Sequence, residues 1–159
     1  MAMHCASVHR PAGHWPKEMA VGALTLDFDT RHRRRIRLVT DQGEDILVNL
    51  PRAVAMADGD ALQLEDGRLL KVQAAAEAVV EVRHKDASQL MRLAWHLGNR
   101  HFATEIRNQS LRIRPDHVIE IMLQRLGADL VNLQAPFQPE GGAYSGGHHN
   151  LDHAGHQHE

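Results

Sequence analysis

The chain has 159 residues, 43% of them hydrophobic, and a formal charge of −2 with its thirteen histidines neutral. That suffices for one ordinary domain or two small ones with buried cores, and a near-neutral balance sets up no global field for nucleic acid or membrane. Cys5 is the single cysteine, which excludes an intrachain disulfide, a cysteine-based zinc knuckle and a CxxC redox pair, and fits a reducing, cytoplasmic setting.

Residues 1–19 scatter His4, His9, Arg10, His14 and Lys17 among small residues with no period, and read as an arm. They hold no apolar signal-peptide core, and no run approaches the roughly 18 apolar residues of a membrane span. From Leu24 a period of two sets in. Leu24, Leu26 and Phe28 alternate with Thr25 and Asp27, Ile36 and Leu38 with Arg35 and Arg37, and Ile46, Val48 and Leu50 with Asp45, Leu47 and Asn49. Such alternation predicts strands with one buried face. Asp41–Glu44 and Asp58-Gly59 supply turns, and Asp66-Gly67 between Leu62/Leu64 and Leu70/Val72 predicts a hairpin. Residues 1–75 are expected to form a small all-β domain.

Past Ala74-Ala75-Ala76 the period switches. Ala78–Val82 reads as a strand, followed by a helix over Ser88–Leu97 with Leu90, Leu93, Ala94 and Leu97 on one face and Gly98 as its terminating residue. Thr104–Ile106 and Leu111–Ile113 are two short alternating runs joined by Asn108-Gln109-Ser110. Pro115-Asp116 opens a second helix carrying Ile119, Met122, Leu123 and Leu126 on one face, closed by Gly127 and followed by a strand over Asp129–Leu133. The order strand, helix, strand, strand, helix, strand predicts a ferredoxin-like βαββαβ domain over residues 76–140. The fold class is thus α+β, with a flexible histidine-rich tail over residues 141–159.

The tail carries His148, His149, His153, His156 and His158, interleaved with other residues instead of forming the unbroken run of a purification tag. Neutral imidazole is the commonest protein metal ligand, so the tail reads as metal-binding. His96 and His101 stand five apart around Gly98, a spacing that points two imidazoles away from each other on a helix and lacks the glutamate of a zinc-hydrolase HExxH motif. His96 borders the apolar stripe and reads as packed. His101, past the helix end, reads as exposed and is the better ligand.

His96-Leu97-Gly98-Asn99-Arg100-His101, then Asp116-His117-Val118 ahead of an amphipathic helix, then Pro136–Tyr144 and a histidine-rich end together resemble the UreE family of urease accessory metallochaperones. The resemblance covers the whole second half, and the first half in architecture. It implies a partner-binding N-terminal domain and a cytoplasmic homodimer that delivers Ni²⁺ to apo-urease, with the accessory GTPase UreG as a further partner. It implies that His101, closing the GNRH motif, is the ligand at the dimer interface. His117 matches a position tied to further metal sites in some relatives, but Pro115 stands here where those have a second histidine. His117 is therefore a ligand or a helix-start residue, and Asp116 a first-turn carboxylate.

The dense basic run Arg31-His32-Arg33-Arg34-Arg35 with Arg37 reads as a solvated strand face and turn, with a docking surface for an acidic partner as the alternative. Nucleic acid is a poorer match, since aromatics make up only 4% of the chain. The sequence reading is a non-enzymatic carrier: two copies of His101 hold one Ni²⁺, and the tail imidazoles recruit more. Zn²⁺ or Cu²⁺ can substitute in vitro, copper most tightly. The rivals are a passive histidine-rich metal buffer and a zinc hydrolase built on His96, His101 and His117.

Overall fold

A computed structural model describes residues 3–141, which build two sheets. The first contains β1 (His4–Arg10), β2 (Ala20–Leu26), β3 (Arg35–Val39), β4 (Asp45–Asn49), β5 (Ala61–Leu64) and β6 (Leu69–Ala74), in the order β2-β6-β5-β1-β4-β3. Its inward residues follow the predicted alternation. Leu24, Ile46, Val48, Leu62, Leu70 and Val72 are buried in one cluster, closed by Leu50 and Met56. The predicted turns are present, with Gly43, Gly59 and Gly67 all at positive φ, where a side chain would be strained.

Two expectations for this half are overturned. The N-terminal arm is a strand: β1 lies inside the sheet, parallel to β4 and antiparallel to β5. A register shift between Ala6 and Val8 breaks its period of two, so the inward positions are a small Ala6 and a half-buried His9. Phe28 does not continue β2. Asp27 ends the strand and accepts a hydrogen bond from the Thr30 N–H at 2.9 Å, starting the four-residue helix α1 (Phe28–Arg31).

The second sheet belongs to β7 (Ala76–Arg83), β8 (Glu105–Ile106), β9 (Leu111–Ile113) and β10 (Asp129–Pro136), with α2 (Ala87–Asn99) and α3 (His117–Arg125) as crossovers. Its order, β10-β7-β9-β8, with every pair antiparallel, is the predicted ferredoxin-like arrangement. Both helices dock on this sheet through the residues their period marked: Leu93 and Leu97 from α2, Ile119 and Leu123 from α3. Each such burial contributes roughly 1.5–3 kcal/mol before entropy. Leu126 departs from its predicted place. It caps α3 on the rim and is exposed, because the helix ends one residue before it.

The two sheets are tied together by the Pro136–Glu140 segment. Phe137 is fully buried and meets Phe28 edge-on, ring centres 5.4 Å apart. The Gln138 N–H donates to Glu105 at 2.7 Å while its side-chain oxygen accepts from the Asp58 N–H, also at 2.7 Å, and the Glu140 N–H donates to the Thr104 carbonyl. Arg31, expected on a solvated basic face, is instead 2% exposed and donates to the Phe137 carbonyl. Burial pushes its guanidinium pKa down, offset by the surrounding carboxylates Glu77, Asp58, Asp27 and Glu105.

Candidate metal centre

The helix that presents the central histidines starts where Asp86 accepts the Ser88 N–H at 2.9 Å. It does not stop at Gly98, which lies within its last turn. The terminating residue is His101, the only non-glycine at positive φ among the described residues, with φ 54°. Two reverse hydrogen bonds close the end: the His101 N–H donates to the Gly98 carbonyl at 3.0 Å and the Phe102 N–H to the Leu97 carbonyl at 3.1 Å. This is a Schellman motif, with Phe102 packed against the cluster that holds Leu97. Glycine is the usual occupant of the left-handed position; histidine is one of the side chains that tolerate it better than most. The turn places the His101 imidazole in solvent beyond the helix end.

His96 is half-buried, its ring edge-on to Trp95 with centroids 5.1 Å apart. Its neighbour exposes a feature that the predicted stripe left out: Met91 and Trp95, one turn apart on α2, are 69% and 63% exposed. Each follows a stripe residue, Leu90 or Ala94, by one position, about 100° around the helix, so the two lie outside the face that docks on the sheet. The sequence signal was the i, i+4 spacing of two large apolar residues.

His117 is the first residue of α3 and exposed. Asp116 caps that helix by accepting the Ile119 N–H at 3.0 Å, and Glu120 reaches back to accept the Asp116 N–H at 3.0 Å. Asp116 is therefore occupied as a cap. Among the described residues, no three His, Cys, Asp or Glu side chains converge to hold a metal ion. His148, His149, His153, His156 and His158 lie outside the described residues.

Other polar groups serve the fold. His9 Nε2 lies 2.6 Å from Asp60, whose oxygens also accept the N–H groups of Ala12 and Ala57. Burial pushes the Asp60 carboxyl up, but His9 and these two N–H groups outweigh it and hold it below its ordinary value. A groove of about 480 Å³ between the Pro136–Glu140 segment and β8 is lined by Asp58, Glu105, Arg107, Arg112, Gln138 and Glu140. Its buried carboxylate Glu105 is already engaged by Arg107 at 2.8 Å and by the Gln138 N–H.

The family profile described as UreE urease accessory protein, N-terminal domain, matches residues 6–75, and the C-terminal domain profile matches residues 77–159. The chain belongs to the UreE urease accessory protein family. A UreE protein of Rhodopseudomonas palustris is 54% identical over 143 residues, covering 89% of this chain and 68% of that protein. One from a Bradyrhizobium species is 54% identical over 132 residues, with 83% and 63% covered. One from Beijerinckia indica is 47% identical over 150 residues, covering 94% of this chain and 86% of the relative. The chain therefore spans about two thirds of the length of some relatives and most of others. Family membership places it among accessory proteins, not catalysts, and sets aside the zinc hydrolase. No helix among the described residues is long and apolar enough to cross a membrane.

Proposed function

We propose that the chain is a nickel carrier for urease assembly and that it works in the cytoplasm as a homodimer. One Ni²⁺ is held between the two copies of His101, and the tail imidazoles of His148, His149, His153, His156 and His158 complete or extend its coordination. The observation that carries this reading is the presentation of His101: an exposed imidazole, fixed by a closed helix terminus, at the end of a helix that also exposes Met91 and Trp95. One exposed histidine is a weak ligand. A two-fold axis beside it would pair two of them, and the uncovered apolar arc of α2 supplies a surface for that contact. His96 and His117 are secondary ligands at most, the first because it is half-buried, the second because it stands at a separate helix start.

Apo-urease would receive the ion, and the accessory GTPase UreG would take part in the transfer. Imidazole-rich, thiol-free ligation accepts Ni²⁺, Zn²⁺ and Cu²⁺ alike, so selectivity for nickel rests on the family. Calorimetric titration with Ni²⁺ tests the central site. Deleting residues 146–159 should leave one ion per dimer, and adding His101→Ala to that deletion should remove it. Loss of every ion by the deletion alone would leave a passive tail buffer instead. Trp95→Asp should shift sedimentation toward the monomer and weaken the retained site, whereas His101→Ala should leave the dimer intact.

A further inference from the structure

The second sheet ends in β10, a long edge strand with none of the usual protections. It pairs with β7 over all eight residues from Asp129 to Pro136 without a register shift, and its other side meets no strand among the described residues. Natural sheets blunt such an edge with a bulge, a lysine, an inward-pointing charge or shortness. The opposite edge of the same sheet does so, because β8 has only two residues and Arg107 follows it at once. In β10, residues Leu130 to Ala135 carry no charge, and proline comes only at the last position.

The ladder fixes which backbone groups that edge presents. The Arg107 N–H donates to the Ser110 carbonyl, so these two form a hydrogen-bonded pair, and in an antiparallel ladder Glu105 and Arg112, two residues on, form the next. Leu111 and Ile113 therefore turn their backbone toward Val82 and Val80 of β7, which leaves Glu81 and Val79 to bond Val131 and Leu133 of β10. The N–H and C=O groups of Leu130, Asn132 and Gln134 consequently point off the sheet. Pro136 falls in the same outward phase, where its missing N–H costs no ladder bond. Among the described residues, the backbone of residues 129–136 makes no hydrogen bond outside the β7 ladder.

We propose that this edge pairs with the same edge of a second copy, antiparallel about a two-fold axis at Asn132, so that two four-stranded sheets join into one. The strand is complementary to itself in that register. Outward residues meet outward residues, Leu130 against Gln134 of the second copy and Asn132 against its twin, giving about six main-chain bonds. On the face away from the helices, Val131, 37% exposed, lies against the half-buried Leu133 of the second copy, and the contact occurs twice. Asp129, the sole charge of the strand, falls opposite Ala135 and not opposite its twin. A charged partner has nothing to recognise between Leu130 and Ala135. The contact uses neither His101 nor α2, so it stands or falls apart from the nickel reading.

The test is sedimentation of the full chain in EDTA, which keeps metal ions from linking copies. One strand pair is a small contact, so the unaltered chain should double its mass only as concentration rises from roughly 10 µM to 1 mM. Asn132→Lys sets like charges face to face and should abolish that step, while an equimolar mixture with Asn132→Asp should restore it. Circular dichroism confirms that each variant is folded. In a Cys5→Ser background, Asn132→Cys should give a disulfide-linked pair on mild oxidation, because residues opposed in a hydrogen-bonded pair stand about 5.5 Å apart at Cα. Gln134→Cys should not, since its twin lies about 13 Å away. A single species across the whole range, doubling unaffected by Asn132→Lys, or equal cross-linking at 132 and 134 overturns the proposal.

Discussion

Replacing His101 with glycine should remove the proposed nickel ligand and, at the same time, stabilise the metal-free protein. The residue sits at φ 54°, where a Cβ crowds the following carbonyl at a cost of about 1–2 kcal/mol that glycine escapes. Glycine in turn loses about 0.5–1 kcal/mol to the greater freedom of the unfolded chain. The His101 side chain is exposed and no packing is given up, so the difference is a net gain centred on about 0.75 kcal/mol. For a chain of this size that raises Tm by roughly 1–4 °C. His101→Ala keeps the Cβ and should lie within about 0.5 kcal/mol of the unaltered chain. Urea unfolding of the three apo proteins, with Ni²⁺ calorimetry alongside, checks both halves. A glycine variant less stable than the alanine variant would refute the argument that the ligand is held in a conformation unfavourable to its own side chain.

Three further outcomes follow from the geometry. Phe137→Ala empties a fully buried site and should cost about 3–5 kcal/mol in urea unfolding, with faster proteolytic cleavage between the two sheets. Asp60→Asn weakens the charge-assisted bond to His9 and should cost about 1–2 kcal/mol at neutral pH. Because the folded Asp60 pKa is below its ordinary 3.8, that stabilisation is present above 3.8 and is lost as pH falls through the lower folded value. The gap between unaltered and variant stability curves should close there and nowhere higher. Ni²⁺ affinity, measured by calorimetry, should fall as pH drops through about 6.5, where free imidazoles take up protons; a flat profile from pH 8 to 5 would speak against histidine ligation.

Periodicity carried the second half of the fold well because β7, α2 and α3 each present a run of large apolar residues to one shared core. It failed at β1 because that strand's inward side offers Ala6 and His9, and the register shift between Ala6 and Val8 interrupts the alternation. Gly98 misled for a physical reason: glycine is the usual helix stop, yet here it stays within the last turn and histidine takes the left-handed place. Spacing marked His96 as packed and His101 as exposed, but not the positive φ that fixes the latter. Arg31 looked like one member of a solvated run. Its burial depends on Phe137, more than a hundred residues away, a long-range contact that no local pattern encodes.

The hydrogen bond from Glu140 to Thr104 moors the chain's departure point three residues from His101. Three residues reach at most about 11 Å, and the eight from Glu140 to His148 at most about 29 Å. Contour length alone therefore puts a donor at position 148 within reach of the proposed nickel site.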